Sequence, residues 1–418
     1  MVTNTTPPST LKAPPPQTDF KVGWICILKE EYRAAARILD EQYDTTGLVR
    51  SYGDRNHYIL GRVGAHNVMI NLPPAEMYGQ LHAHMIAHGM RSTFSRMRFA
   101  LLVGIAGGVP SPERDIRLGD VVLGTRAVPY RFGKETDHGF QRTGLVQTPP
   151  IKLLEAITLL EKRIRSEDVN LSEAIESIRT KYPKGGAAFL RPAKDRLYKG
   201  EFLHKESECD CLRLEPEQGA DLHLRDDRKG DLVQVFQGGI GTDNWVIKNA
   251  KIRDDIAKRE NILCYDMEAS AVMDVLPCLP VRGISDYADG HKNDHWRLYA
   301  SLAAAACARE LLLSLSSQFV AQSPLAVAGD VLGQYNVEAV DLNAVSTTGT
   351  VDLRHTDSVD GISLQVPWIK ALSMAARDSF LTVVSNHTDI WHWLYAFSRT
   401  RSGYFYHILY RYYRILTI

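Results

Sequence analysis

Two carboxylates follow two buried strands in the stretch Cys264–Asp289, which reads CYDMEASAVMDVLPCLPVRGISDYAD. The first strand is predicted to deliver Glu268 to its C-terminal end, where a helix begins near Ala269, and the second strand, PVRGIS, delivers Asp286. Ligands of open α/β sheets bind at the carboxyl ends of the strands. The spacing therefore predicts a paired-carboxylate site, with helix capping by the same acids as an equal alternative.

A glycine-rich stretch, LLVGIAGGVPSPERDIRLGDVVL, is the second candidate for chemistry. Gly104, Gly107 and Gly108 follow a predicted buried strand, and backbone without side chains can approach an anion or a sugar closely. The stretch contains neither a G-x-G-x-x-G nor a G-K-[ST] pattern, so it indicates no particular ligand by itself.

Histidines and cysteines do not predict a metal site. His84 and His88 stand four residues apart on a predicted helix without an H-E-x-x-H pattern, which favours an ordinary helix face. His204, Cys209 and Cys211 are irregularly spaced and have no clear fourth ligand, which favours free thiols over zinc. We therefore expect no metal.

Alternating buried strands and amphipathic helices must position these residues. The strands are predicted at KVGWICIL, HYILGRV, NVMINL, FALLVGIAGG, DVVLGTRAV, DLVQVFQGGI, NILCYDM and LPVRGISD. The helices are predicted at EEYRAAARILDE, MYGQLHAHMIAHGM, TDNWVIKNAKIRDDIAKR, EASAVMDVL and HWRLYASLAAAACARELLLSL. This order predicts a single three-layer α/β/α domain over residues 19–317 around a central mixed, largely parallel sheet, with a partly helical insertion at about 150–230.

The flanking segments differ from this domain in composition. Residues 1–18 carry five of the 19 prolines and predict a disordered leader, and residues 318–365, small and polar, predict a linker. Residues 366–418 form an aromatic, basic C-terminal tail. A short amphipathic helix that packs on the body, or a fragment of a further domain, is favoured for this tail, and contact with a protein partner or a membrane surface is the alternative.

The overall composition excludes several classes of protein. Lysine plus arginine and aspartate plus glutamate both number 49, which argues against a nucleic-acid-binding chain. No run reaches 18 uncharged apolar residues, so no transmembrane segment is predicted. Six cysteines are too few for a disulfide scaffold of 418 residues, which favours a reducing, cytoplasmic compartment.

Taken together, these stretches resemble the nucleoside phosphorylase superfamily, which includes purine nucleoside phosphorylases and methylthioadenosine/adenosylhomocysteine nucleosidases. The likeness is strongest to the nucleoside phosphorylase-like domains of fungal receptor-like proteins. It is carried by VGWICILKEEYRAA, VGIAGGVP, DIRLGDVVLG, FGKE, CYDMEASAVM and VRGISDYADGHKNDHW, over about residues 20–315.

The resemblance implies cleavage of the bond between a purine and a ribose, with a purine nucleoside as substrate. Asp286 would act as general acid at the leaving base, with a pKa raised by burial, and Glu268 would hold the ribose hydroxyls. Further substrate contacts are implied for Met267, Gly104, Ala106, Gly107, Ser285, Thr242 and Asn244. No cofactor is implied, apart from inorganic phosphate as co-substrate if cleavage is phosphorolytic, and a homo-oligomer is implied.

The turn after the first strand bears on the choice between water and phosphate. The resemblance places an arginine here in the phosphorylases and an acid that orients water in the nucleosidases. Glu31 falls at the acidic position, which favours hydrolysis, and Lys29 is read as a solvated surface residue.

Two departures from the family pattern support a rival hypothesis of another class. Glu76 adds a charge to a loop that is usually small, and Asp243 stands where the family has glycine. Both favour a non-catalytic module that binds or senses nucleosides, whereas Glu31, Glu268 and Asp286 favour an enzyme.

Overall fold

The computed structural model describes residues 11–182, 185–202, 221–326, 358–359 and 362–363. The strands of the body are β1 (Val22–Ile25), β2 (Glu41–Tyr43), β3 (His57–Val63), β4 (His66–Leu72), β5 (Phe99–Gly108), β6 (Val121–Val128), β7 (Gly133–Thr136), β8 (Gly139–Arg142), β9 (Val235–Thr242), β10 (Ile262–Asp266) and β11 (Cys278–Asp286). The helices are α1 (Lys29–Arg37), α2 (Gln80–Thr93), α3 (Ile151–Arg165), α4 (Leu171–Lys181), α5 (Ala250–Glu260), α6 (Ala269–Met273), α7 (Arg297–Leu313) and α8 (Ser317–Gln322).

Nine strands form one mixed sheet in the order β10-β9-β6-β11-β5-β1-β4-β3-β2. The pairs β4–β1, β1–β5, β5–β11, β6–β9 and β9–β10 are parallel, whereas β11–β6, β3–β4 and β2–β3 are antiparallel. The prediction of a mixed, largely parallel sheet is confirmed. The sheet also contains a closure that the sequence did not predict, because β10 pairs antiparallel with β5 and completes a ring of five strands.

Helices cover both faces of this sheet, as the three-layer prediction requires. Along β5, Leu101 and Val103 pack into a hydrophobic cluster with α1, α3, α4 and α7, whereas Ala100 and Leu102 pack into another with α2 and α6. This alternation is the period-two pattern of a strand buried on both sides.

The alanine-rich helix α7 packs unusually closely on β11. A Cβ built on Gly283 would lie 2.0 Å from the carbonyl oxygen of Ala300, so only glycine permits this approach. The contact fixes the strand that ends at Asp286.

The insertion, which was predicted to be partly helical, begins with two helices, α3 and α4. Asn170 caps α4, since its side chain accepts a hydrogen bond from the Glu173 amide at 3.1 Å. Helix α5, by contrast, starts at Ala250 rather than near residue 242, because Asn249 caps it and the preceding residues form a loop.

Contacts with the body also occur outside the predicted domain limits of 19 and 317. Within the leader, the Lys12 carbonyl accepts a hydrogen bond from the Asp44 amide at 2.8 Å, and Gln17 Nε2 donates to the Thr93 carbonyl at 2.7 Å, so these two leader residues contact the body. At the other end, α8 buries Val320, and the Ala326 amide donates to the Met97 carbonyl at 2.9 Å. The packed body thus extends nine residues beyond the predicted boundary at 317.

Most of the predicted linker and the whole aromatic tail lie outside the described residues. Two short strands, β12 (Ser358–Val359) and β13 (Ile362–Ser363), pair antiparallel with each other. No helix in the described part of the chain is both long and apolar enough to cross a membrane.

Candidate functional site

The two acid-bearing strands flank a single residue of β5. Gly107 pairs with Asp286 of β11 on one side and with Tyr265 of β10 on the other. Because β10 runs antiparallel to β5, the residues after Tyr265 run back along β5. The sheet therefore brings Asp286 and the segment that contains Glu268 to the glycine-rich C-terminal part of β5.

Gly104 and Gly107 of β5 face the same side of the sheet, because the alternation of side chains along this strand is interrupted between them. Leu101, Val103 and Ala106 all belong to the same hydrophobic cluster, so strict alternation breaks between 103 and 106. A Cβ on Gly104 would lie 2.2 Å from Glu31 Oε1, and one on Gly107 would lie 2.9 Å from Asp286 Oδ1. Bare backbone at both positions is what leaves room for the two carboxylates.

A fully buried arginine, Arg282, is the counter-ion of the carboxylates on one side of β5. Its Nε and Nη2 atoms contact Asp266 Oδ2 at 3.0 and 2.6 Å, and Nη2 lies 3.6 Å from Glu268 Oε2. Its Nη1 is buried, lacks a hydrogen-bond partner among the described residues, and would lie 2.4 Å from a Gly104 Cβ. Arg282 Nη1 and Glu31 Oε1 therefore both lie next to the Cα atom of Gly104, where a side chain would otherwise be.

Glu31 is held rigidly at the start of α1. Its Oε2 accepts hydrogen bonds from the amides of Ile27 and Leu28 at 2.7 and 2.9 Å, and Oε1 accepts from Ile105 at 3.0 Å. Burial raises the pKa of Glu31, although Arg282 and these three amides oppose the rise. A buried carboxylate of raised pKa is a better base than an exposed one.

Glu268 also has a raised pKa. Its Oε1 accepts a hydrogen bond from the Gly79 amide at 3.0 Å. Burial raises the pKa of Glu268 to about 7, with Arg282 lowering it and the charges of Asp266 and Glu31 raising it further. The group thus changes charge near neutral pH.

The pKa of Asp286 is shifted in the direction opposite to the one expected from its burial. Its Oδ2 contacts Lys292 Nζ at 2.5 Å and accepts from Ser285 Oγ at 2.9 Å, while Oδ1 accepts from the Ala288 amide at 3.0 Å. Burial alone would raise the pKa of Asp286, but Lys292 and these hydrogen bonds outweigh it and lower the pKa. The predicted direction of this shift is therefore wrong.

Other predicted residues lie around these acids. Asn244 Oδ1 accepts from the Gln80 amide at 2.9 Å and so holds the start of α2, next to the Gly79 amide that binds Glu268. Thr242 is fully buried at the end of β9. The Met267 amide donates to Glu268 Oε2 at 3.3 Å, and the Ala106 carbonyl lies 3.4 Å from Ser285 Oγ.

Glu76 lies at the surface, and Asp243 is partly buried. Glu76 is exposed and has a left-handed backbone, with φ of 61°. Burial raises the pKa of Asp243, and Arg131 opposes that rise.

Two charged residues of the site, Asp266 and Arg282, were missed as functional candidates by sequence reasoning. A usable signal existed for Arg282, because an arginine in the otherwise apolar strand CLPVRGIS must have a buried partner. Lys292, which follows the predicted general acid in the sequence, was a less favoured candidate for the border of the pocket, and no local pattern indicated its contact with Asp286.

The insertion reaches the Asp286 side of the site. A small cavity of about 30 Å³ beside Asp286 is lined partly by Lys194, Arg196 and Tyr198 of the insertion. No group of three or more side chains suited to hold a metal ion occurs among the described residues, and His204, Cys209 and Cys211 lie outside them.

Comparisons with known proteins give one curated relative and a set of solved structures. No family model matches the chain. A nucleotide-binding leucine-rich repeat (NLR)-like protein of Hyaloscypha variabilis is 36% identical over 308 residues, which cover 72% of this chain and 30% of the relative. The chain thus matches under a third of that relative's length.

The solved structures are more distant in sequence. The 5′-methylthioadenosine/S-adenosylhomocysteine nucleosidase of Neisseria meningitidis, in complex with methylthio-immucillin-A, is 16% identical, with a TM-score of 0.46, over 71% of this chain and 100% of its own. The futalosine hydrolase of Helicobacter pylori is 12% identical, with a TM-score of 0.45, over 71% of this chain and 99% of its own. At these values the likeness carries no conclusion about activity.

Proposed function

We propose that this chain hydrolyses the N-glycosidic bond of purine nucleosides. The observation that carries the proposal is the convergence on one glycine-rich strand of a rigid base (Glu31), a ribose-binding acid (Glu268) and a group at the leaving purine (Asp286). Glycosidic cleavage needs these three roles, because its transition state resembles an oxocarbenium ion. The sequence motifs around all three residues support the same reaction.

In the proposed reaction, each acid has one task. Ionised Glu268 accepts hydrogen bonds from the ribose hydroxyls and places the sugar against β5. Glu31 takes a proton from the water that attacks the anomeric carbon as the bond to the purine breaks. A proton delivered on the Asp286 side neutralises the departing purine, so water and nucleoside become ribose and free base.

Hydrolysis is proposed over phosphorolysis because of the charge around Glu31. Its carboxylate and that of Glu268 are buried together, with Arg282 as the shared cation, so a phosphate dianion would be repelled there. The test is incubation of the full chain with adenosine, inosine, guanosine and methylthioadenosine, with and without phosphate. A free sugar released without phosphate, which is ribose or, from methylthioadenosine, methylthioribose, supports hydrolysis, whereas a sugar 1-phosphate formed only with phosphate would assign the site to phosphorolysis.

The second candidate is a nucleoside-binding module of a receptor-like protein without turnover. The observation that favours it is the Asp286 carboxylate, which is already occupied by Lys292, Ser285 and the Ala288 amide. The name of the Hyaloscypha relative points the same way. Calorimetric binding of a nucleoside with no free base or sugar released would select this candidate.

A further inference from the structure

Asp286 by itself does not hold a proton that it could give to the departing purine. Both of its carboxylate oxygens accept hydrogen bonds, and Lys292 Nζ lies 2.5 Å from Oδ2. A carboxylate paired in this way is ionised near neutral pH, whereas a general acid must carry a proton before it can give one. The cation beside it does carry protons.

We propose that Lys292 is the proton donor for the leaving purine and that Asp286 passes its proton on. This inference rests on the proposed nucleosidase function and assigns a catalytic pair in that same site. The Lys292 ammonium first transfers a proton to the Asp286 carboxylate, and the carboxylic acid so formed gives that same proton to the purine as the C–N bond breaks. The neutral amine then regains its proton from solvent, which it reaches because its side chain is 22% exposed.

The loop after β11 is built to hold Lys292 in this position. Ala288 adopts a left-handed conformation, with φ of 50°, that turns the chain directly after Asp286. Asp289 Oδ1 accepts from the His291 amide at 2.9 Å, and the Lys292 amide donates to the Asp289 carbonyl at 3.2 Å. These bonds fold the loop back so that Lys292 meets Asp286.

The insertion holds the same loop from outside. The His291 ring stacks on Tyr198 with ring centroids 3.8 Å apart and an interplanar angle of 12°, and on Phe202 at 5.2 Å and 10°. Stacking of this kind orients the residue next to Lys292. The insertion therefore has a role in fixing the catalytic pair.

Other ionisable groups face the pair from neighbouring elements. Asp289 is buried on the same loop, and its burial raises its pKa. Arg253 of α5 donates to the Tyr287 carbonyl at 2.9 Å, and Lys194 and Arg196 of the insertion line the cavity beside Asp286. Lys292 is in direct contact with Asp286, with its Nζ 2.5 Å from Oδ2.

The test compares kcat and KM between pH 5 and pH 9 for the wild-type chain, Lys292→Met and Lys292→Arg. Lys134→Met, in the exposed β7–β8 hairpin, is the matched control. At pH 8, Lys292→Met is expected to lower kcat about 100-fold, the lower end for loss of a general acid, with KM changed less than about threefold. The deficit should shrink at pH 5, because without the ammonium the pKa of Asp286 rises and solvent can protonate it.

Lys292→Arg separates a proton donor from a mere counter-charge. A guanidinium pairs with Asp286 but does not give up its proton, so this variant should be as slow as Lys292→Met at pH 8 and recover less at pH 5. A substrate whose leaving group needs no proton, p-nitrophenyl riboside, should be cleaved by Lys292→Met at a rate within about threefold of wild type.

Each outcome decides the matter. Near wild-type activity of Lys292→Arg at pH 8 would overturn the role of Lys292 as proton donor and leave the proposed function standing. The same holds if Lys292→Met loses kcat equally on nucleosides and on p-nitrophenyl riboside. Absence of nucleoside cleavage by the wild-type chain would overturn the proposed function and, with it, this inference. Circular dichroism and thermal melts of each variant separate a folding defect from a kinetic one.

Discussion

Replacement of Glu268 by glutamine is expected to stabilise the protein at alkaline pH while it weakens nucleoside binding. Burial raises the pKa of Glu268 from 4.5 to about 7 in the folded state. The folded protein therefore holds a proton on this group that the unfolded chain releases, and ionisation of Glu268 opposes folding. Glutamine keeps the shape and removes the charge.

The size of the effect follows from the two pKa values. Each tenfold change in proton affinity is worth about 1.4 kcal/mol, so the penalty is about 1 kcal/mol at pH 5 and about 3 kcal/mol at pH 8. It develops as the pH rises above 4.5 and is complete above about 7. For a body of this size, the gain at pH 8 corresponds to a rise in Tm of roughly 5 °C.

The assay is thermal unfolding followed by fluorescence at pH 5 and pH 8 for wild type and Glu268→Gln. Glu135→Gln, at an exposed position of the β7–β8 hairpin, is the control and should leave Tm unchanged at both values. A Tm of Glu268→Gln that equals wild type at pH 8, or a gain that is the same at pH 5 and pH 8, would refute the electrostatic reasoning about the buried cluster.

Three other outcomes follow from the same cluster. Gly104→Ala should destabilise the fold by about 3 kcal/mol in urea unfolding, since its Cβ would overlap Glu31 and Arg282, whereas Gly47→Ala, with open space around it, should cost little. Arg282→Met should cost about 3 to 5 kcal/mol at pH 8, because it leaves buried carboxylates without a cation; a smaller loss at pH 5 in the same urea experiment checks this charge-based cause. KM for a nucleoside should rise as the pH falls below 7, because protonated Glu268 cannot accept hydrogen bonds from both ribose hydroxyls; a KM that does not vary between pH 6 and pH 8 would contradict the assignment of Glu268 to the ribose.

The elements of the fold were largely predictable because their signals are local. Buried runs such as FALLVGIAGG form strands and the alanine-rich segment forms α7, as their periodicity indicates. The start of α5 was placed too early, because the apolar residues Trp245 and Val246 imitate a helix while Asn249 caps it later. The pairing of β10 with β5 was not predictable, since it joins segments about 150 residues apart by backbone hydrogen bonds that have no sequence pattern.

The sequence by itself determined which acids stand at strand ends, since the position of Glu268 and Asp286 relative to apolar runs is a local property. Only the tertiary structure decided the pKa values of those acids. Lys292 lowers the pKa of Asp286, and the burial of Glu268 beside Asp266 and Glu31 raises its pKa to about 7. The physical reason is that the charge of a carboxyl depends on solvation and on cations within a few ångströms, and both depend on how distant segments pack.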